Sequence, residues 1–162
     1  MTQMTAPLEV GLAVRDLKRM RAFYEGALGL SFVSEIHVGG EKAKVAAMSP
    51  DGYTVVRLQT AKGERIKLLQ PDRLPQAGQA ETGLILERAG ASYLTFIVDD
   101  LKALVERLIE HGAQPLTGRD PIEVRPGTWL AFCTTPKATS SRSSNTTTLL
   151  PIVPIWLRRN NR

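Results

Sequence analysis

The sequence contains one cysteine, no long apolar run and none of the common nucleotide or nucleophile motifs. Because Cys133 has no partner, an intramolecular disulfide is excluded, and we expect a cytoplasmic protein. No stretch reaches the roughly 18 apolar residues of a membrane-spanning helix, and residues 1–7 do not resemble a secretory signal. Gly-x-Gly-x-x-Gly, the P-loop, Gly-x-Ser-x-Gly and Cys-x-x-Cys are all missing, so the chemistries that depend on them are not indicated.

Acidic residues are missing from the last part of the chain, which explains the net charge of +5. Residues 137–162 contain five basic residues and no acid, whereas the remaining 136 residues carry 16 of each sign. Nucleic-acid binding requires a basic patch on a folded surface. The body of the chain shows none, so we expect neither a nucleic acid nor a membrane as partner.

One pattern occurs twice, 84 residues apart. Residues 9–14 and 93–98 alternate in the manner of a half-buried strand, and Asp16 and Asp100 then offer side-chain oxygens to cap a following helix. The helices have apolar residues at helical spacing and end near Gly29 and Gly112. This internal repeat predicts two copies of one module.

The residues after each helix predict the rest of the module. Residues 1–70 are expected to hold strands over 8–14, 30–38, 53–60 and 65–70, a helix over 17–28, and an ambiguous stretch whose residues 43–48 suit a short helix. Residues 71–90 are expected to be a linker. Residues 91–136 are expected to hold a strand over 92–98, a helix over 100–111, and strands near 114–118, 121–125 and 129–133. The fold class is therefore α+β, with two βαβββ modules.

The repeated segments resemble the glyoxalase/bleomycin-resistance/extradiol-dioxygenase superfamily, which has the vicinal oxygen chelate fold. The resemblance is carried by Val-Gly-Leu-Ala-Val-Arg-Asp-Leu, Ala-Phe-Tyr-Glu-Gly-Ala-Leu-Gly-Leu and Phe-Ile-Val-Asp-Asp-Leu, and it covers residues 7–136. It implies two βαβββ modules with curved sheets around a cleft, a small-molecule ligand and frequent homodimers. The activity is not implied, because one fold hosts many chemistries.

The composition changes abruptly at Lys137, where a Ser/Thr-rich and basic tail begins. Family members resembling this chain continue with Asp-Pro-Glu-Gly-Asn and a last strand, and codons for that segment, read one base later, give Thr135 to Thr146. We therefore hypothesise that residues 137–162 are a frameshift product and that the second module lacks a normal last strand. The alternative is a natural disordered tail.

The resemblance also implies a divalent metal on the first and last strands of each module. Carried over to this sequence, the ligand positions fall on Glu9, Lys67, Tyr93 and Arg142. One carboxylate, one phenol and two cations do not provide the donors that such an ion needs. We therefore expect no cofactor, with a divalent metal as the less favoured alternative.

Without a metal, two roles remain for Glu9, Lys67 and Tyr93. Glu9 and Lys67 can form a structural ion pair. Alternatively, Glu9 is a general base, and Lys67 and the Tyr93 hydroxyl stabilise an enolate or carboxylate oxygen. The leading prediction is a glyoxalase-like lyase or isomerase that acts on a small carbonyl or hydroxy-acid metabolite. The alternative is a non-catalytic, bleomycin-resistance-type protein that sequesters a small toxic compound. Further candidates for contacting the ligand are Arg57, Arg65, Thr95, Arg125, Trp129 and His37.

Overall fold

The structure of the protein, a computed structural model, describes residues 8–74, 94–136 and 152–158; Arg125 and residues 152–158 are described by their backbone alone. The chain divides into two compact units, Met1–Gln76 and Ala77–Arg162. Each unit contains one four-stranded sheet with helices, which confirms the predicted α+β class. No helix in the described ranges is long and apolar enough to cross a membrane.

The first unit follows the predicted order of elements, including the short helix. Strand β1 lies parallel to β4, and the other neighbouring strands are antiparallel, in the order β1-β4-β3-β2. The ambiguous stretch of the sequence forms a helix three residues earlier than the predicted segment. The elements are β1 (Glu9–Ala13), α1 (Leu17–Gly26), β2 (Ser31–Gly39), α2 (Gly40–Val45), β3 (Gly52–Gln59) and β4 (Arg65–Pro71).

Helix α1 is capped by Asp16, as its sequence predicts. The Asp16 carboxylate accepts a hydrogen bond from the backbone N–H of Arg19 at 2.9 Å, which satisfies one of the unpaired donors of the first turn. The apolar stripe of the helix is buried and packs on one side of β3 and β4. We call this side of the sheet the helix face; its buried residues include Val56, Leu58, Ile66 and Leu68.

The second unit repeats the arrangement of the first. Its strands lie in the order β5-β8-β7-β6, so the first strand is again parallel to the last, and the last is antiparallel to the third. Asp100 caps its helix in the way that Asp16 does, accepting from the Ala103 N–H at 3.0 Å. The elements are β5 (Phe96–Val98), α3 (Leu101–Glu110), β6 (Ile122–Arg125), β7 (Thr128–Thr134) and β8 (Ile152–Arg158).

Two predictions for the second unit were wrong. Residues 114–118 do not form a strand; Pro115 makes one isolated bridge with Cys133. The predicted loss of the last strand is contradicted by β8, which pairs with both β5 and β7. Pro154 lies within β8, but a proline removes only its own N–H, and the other six residues of β8 keep theirs. The linker predicted for 71–90 lies outside the described residues from 75 onward, and Pro71 belongs to β4.

Candidate functional site

The face of the first sheet opposite α1 carries the charged side chains. Successive side chains of a strand point to opposite faces, so the register decides which residues lie together. Glu9 is opposite Arg65, Lys67 is opposite Arg57, and Arg57 is opposite Ser34. All five alternate with the buried residues of the helix face. We call this side the site face, and we call Glu9, Arg57, Arg65 and Lys67 the Glu9 cluster.

Both carboxylate oxygens of Glu9 are held by cations. The Lys67 ammonium lies 3.2 Å from Oε2, and Nη1 of Arg65 lies 3.4 Å from Oε1. Arg65 is itself oriented by Gln59, whose side-chain oxygen accepts from Nε at 2.7 Å. The Glu9 side chain is 26% exposed and that of Lys67 is 31% exposed, so both can be reached from solvent. The structure therefore brings three of the predicted site residues together.

These cations hold the pKa of Glu9 below its ordinary value. The largest cause is the hydrogen bond from Lys67; partial desolvation opposes it, and Arg65 and the more distant charge of Arg57 act in the same direction as Lys67. A carboxylate with a lowered pKa is ionised at neutral pH and is a weak proton acceptor. Glu9 is thus better suited to balancing charge than to abstracting a proton.

Arg57 is the cation of the Glu9 cluster whose guanidinium contacts no carboxylate among the described residues. Its Nη1 donates to the Ser34 hydroxyl at 3.4 Å. The strands of the first sheet contain only two acids, Glu9 and Glu35, and Glu35 lies on the helix face, where it pairs with Arg21. The site face therefore has three cations and one carboxylate along these strands.

The Glu9 cluster does not fit a divalent metal ion. Such an ion needs several neutral or anionic donors around one point. Here the single carboxylate already bonds two cations, which would repel a metal. Within residues 8–74, 94–136 and 152–158, no group of three His, Cys, Asp or Glu side chains is close enough to hold a metal.

One of the two corresponding positions of the second unit differs from the prediction. Tyr93 and Arg142 lie outside the described residues. Leu12 is opposite Leu68, and Phe96, 84 residues after Leu12, is opposite Ile155, so the residue before Ile155, Pro154, corresponds to Lys67. Arg142 is therefore not the residue at this position of the last strand, because β8 begins ten residues after it.

His37 does not join the Glu9 cluster. It is opposite Thr54, and both alternate with the residues of the site face. Its Nε2 instead lies 3.0 Å from a carboxylate oxygen of Asp72. His37 therefore lies on the opposite face of the sheet from Glu9, because one step along a strand reverses the face.

Three further candidates lie in the second unit. Thr95 is exposed and directly precedes β5; Arg125 is opposite Thr128 in the backbone register. Trp129 is half-buried and lies on the same face of β7 as Ala131 and Cys133. It lines a cavity of about 250 Å³ with Asp99, Asp100, Leu101, Lys102 and Pro121. Its surroundings are thus the start of α3 rather than a counterpart of the Glu9 cluster.

Sequence reasoning missed three residues of the site face: Ser34, Gln59 and Gly11. Ser34 and Gln59 orient the two arginines, and Gly11, opposite Lys67, leaves the strand beside Lys67 without a side chain. The only evidence in the sequence was the alternation along each strand. It shows which residues of one strand share a face, but not which strand lies beside it. The antiparallel register of β2, β3 and β4 is what places Ser34 opposite Arg57 and Gln59 opposite Arg65.

Comparison with known proteins agrees with this fold. A family model described as the glyoxalase/bleomycin resistance protein/dioxygenase superfamily matches residues 7–136. No curated protein matches the chain.

Several solved structures are similar at low sequence identity. A glyoxalase family protein from Bacillus cereus is 18% identical, with a TM-score of 0.72 over 96% of this chain and 95% of that one. Glyoxalase I from Zea mays is 18% identical, with a TM-score of 0.63 over 96% of this chain but 45% of the maize chain. A glyoxylase/bleomycin resistance protein/dioxygenase domain from Frankia sp. EAN1pec is 19% identical, with a TM-score of 0.61 over 100% and 96%. At these identities the similarity shows the fold alone.

Proposed function

Because this chain belongs to the glyoxalase/bleomycin resistance protein/dioxygenase superfamily, we propose that it handles a small molecule on the site face of its first unit, and that it does so without a divalent metal. We further propose that it binds this molecule without converting it, in the manner of a sequestering protein. Its ligand takes up the hydrogen-bonding capacity that the Glu9 cluster leaves unused.

The observation that supports this proposal is the state of the Glu9 carboxylate. Lys67 and Arg65 each bond one of its oxygens, so Glu9 offers neither a free pair of oxygens for a metal nor a strongly basic one for proton abstraction. The cations are only partly satisfied by this one carboxylate. A site with these properties suits recognition through charge and hydrogen bonds.

A glyoxalase-like lyase or isomerase is the second candidate. It is favoured by the exposure of Glu9, which a substrate can reach, and by the adjacent ammonium and guanidinium groups, which would stabilise an oxyanion formed when Glu9 removes a proton next to a carbonyl. The Tyr93 hydroxyl remains a predicted contributor. The lowered pKa of Glu9 makes this candidate the weaker one.

Binding and turnover measured with and without metal test both candidates. Chelator-treated protein is titrated with lactate, pyruvate, bleomycin and the methylglyoxal–glutathione adduct, and the same samples are assayed for turnover before and after addition of Ni²⁺, Co²⁺ or Zn²⁺. We expect saturable binding that metals do not change, and no turnover. Metal-dependent turnover that is lost in Glu9→Gln but kept in Glu41→Gln, an exposed acid in α2, would refute the proposal. Turnover without metal that shows the same dependence on Glu9 would establish the second candidate.

Assembly and location remain predictions. The resemblance predicts a homodimer, which light scattering on the purified protein measures. The cytoplasmic location and the absence of nucleic-acid partners are expected from the sequence, and fluorescence microscopy of a tagged chain and a nucleic-acid binding assay at physiological salt test them.

A further inference from the structure

Three features of the site face restrict the chemistry of its ligand: surplus positive charge, one guanidinium without a carboxylate partner, and an apolar strip beside it. The guanidinium, that of Arg57, has no carboxylate partner within the described part of the chain. From these features we infer that the ligand is an amphipathic small acid, whose carboxylate or phosphate group binds Arg57 and Lys67 and whose apolar chain lies along Ile36 and Leu69. This inference rests on the proposed function, since it specifies the ligand of the same site.

The charged end of this surface follows from the balance of the Glu9 cluster. Three cations face one carboxylate, and the carboxylate is taken up by Lys67 and Arg65. Arg57 has five donors, of which one makes a long bond of 3.4 Å to the Ser34 hydroxyl. A planar guanidinium with free donors matches the two oxygens of an oxyanion. Arg57 is therefore the anchor, and the ammonium of Lys67, directly opposite in the register, is the second contact.

The apolar end lies two residues further along the same strands. Ile36, Val55 and Leu69 are opposite one another in β2, β3 and β4, on the same face as Arg57 and Lys67. Val55 is buried, whereas Ile36 is 48% exposed, so apolar surface remains open to solvent beside the charged end. Covering such a surface with an alkyl chain is favourable.

Gly11 connects the two ends. It is opposite Lys67, and Ala13, the next residue of β1 on this face, is opposite Leu69. A Cβ added at Gly11 would lie 3.2 Å from Cδ1 of Leu69, so even a methyl group would crowd this part of the strip. The absence of a side chain at Gly11 lets Cδ1 of Leu69 lie against β1 next to Lys67, so the apolar strip reaches the charged end.

The test uses matched acids and neutral compounds on the full chain. Sodium hexanoate, hexyl phosphate, sodium acetate and hexanamide are titrated into the wild type by calorimetry. We expect hexanoate or hexyl phosphate to bind saturably, hexanamide to bind at least about tenfold more weakly because the charge-assisted bonds are lost, and acetate to bind more weakly because the chain is lost. Equal binding of hexanoate and hexanamide overturns the inference.

Variants identify the site. Arg57→Gln is expected to weaken hexanoate binding about tenfold or more and to leave hexanamide unchanged, while Arg57→Lys, which keeps the charge but not the planar fork, has an intermediate effect. Ile36→Ser is expected to weaken hexanoate but not acetate. Arg119→Gln removes the same charge from an exposed position of the second unit and is the matched control. An Arg119→Gln effect as large as that of Arg57→Gln overturns the inference.

The proposed function and the inferred ligand would be refuted by different results. In one outcome hexanoate and hexyl phosphate do not bind at millimolar concentration, but hexanamide, lactate, pyruvate, bleomycin or the methylglyoxal–glutathione adduct binds in a manner that depends on Lys67. The proposed function then stands, and the inference of an amphipathic acid is wrong. If no compound of either panel binds, both are wrong. Circular dichroism and thermal melts of each variant show that a loss of binding is not a loss of fold.

Discussion

Replacing Tyr24 by phenylalanine should stabilise the protein. Tyr24 is fully buried in the core of the first unit, and its hydroxyl has no hydrogen-bond partner among the described residues. A buried polar group without a partner costs about 1–3 kcal/mol of folding free energy. Phenylalanine keeps the ring and its edge-to-face contact with Phe23, whose centroid is 5.4 Å away. We therefore expect Tyr24→Phe to gain about 1–3 kcal/mol, which in a chain of this size raises Tm by several degrees.

The pH dependence of the gain gives a second readout. Burial raises the pKa of Tyr24 above the ordinary value of 10.0, so the unfolded chain ionises first as the pH increases. The stability of the wild type is unaffected by this ionisation below pH 10, and above pH 10 it falls by about 1.4 kcal/mol per pH unit until the folded state also ionises. Since Tyr24→Phe lacks this loss, its advantage over the wild type should grow above pH 10.

Urea unfolding of the wild type and the variant at pH 7 and above pH 10 measures both effects. Tyr53→Phe, the same change at a partly exposed position of β3, is the control and is expected to stay within about 0.5 kcal/mol of the wild type. If Tyr24→Phe destabilises the protein at pH 7, the hydroxyl has a partner in solution, and the reasoning about the core is wrong.

Four other substitutions test the fold and the site. Asp16→Ala and Asp100→Ala should each cost about 1 kcal/mol in urea unfolding, since each removes one helix cap; a cost confined to one of them would contradict the equivalence of the two units. Ala47→Gly should raise the free energy of unfolding by about 0.5–1 kcal/mol in the same measurement. Ala47, which follows α2, has a φ of 56°, a left-handed conformation that is strained for alanine but not for glycine. A loss of stability would show that the strain is absent. Lys67→Met should raise the pKa of Glu9, measured by a carboxyl NMR titration. In the wild type, the stabilisation from ionised Glu9 is present above its ordinary pKa and is lost as the pH falls through the folded value, so the variant should lose it at a higher pH. An unchanged pKa would disprove the pairing.

The sequence predicted the fold well where the pattern is local. The caps at Asp16 and Asp100 and the alternation in β3 depend on neighbouring residues, so they could be read from the sequence alone. The bounds of the short helix at 40–45 and the last strand at 152–158 could not. Both segments have weak local preferences, so contacts with the rest of the unit decide them: α2 packs against β2 and β3, and β8 pairs with β5 and β7.

The candidate site was predictable only in part. The resemblance led to Glu9 and Lys67, and the structure places their charges 3.2 Å apart. It did not lead to Ser34 or to the helix-face position of His37, because both depend on the strand register, including the shift between Phe32 and Ser34 in β2. A one-residue shift reverses the face, and no property of the single sequence fixes it.

The origin of residues 137–162 is a separate question. The frameshift hypothesis concerns the gene, and the coding DNA around Thr135 tests it directly. A β8 built from shifted codons is compatible with pairing, since backbone hydrogen bonds form the ladder whatever the side chains.

The central claim is that Lys67 and Arg65 hold Glu9 where the superfamily resemblance implies a metal ion. Titration of chelator-treated protein with Ni²⁺ and Zn²⁺ by calorimetry, with Glu9→Gln alongside, tests it most directly. The account predicts no stoichiometric binding that depends on Glu9. One ion per chain, bound by the wild type and lost in Glu9→Gln, would contradict it.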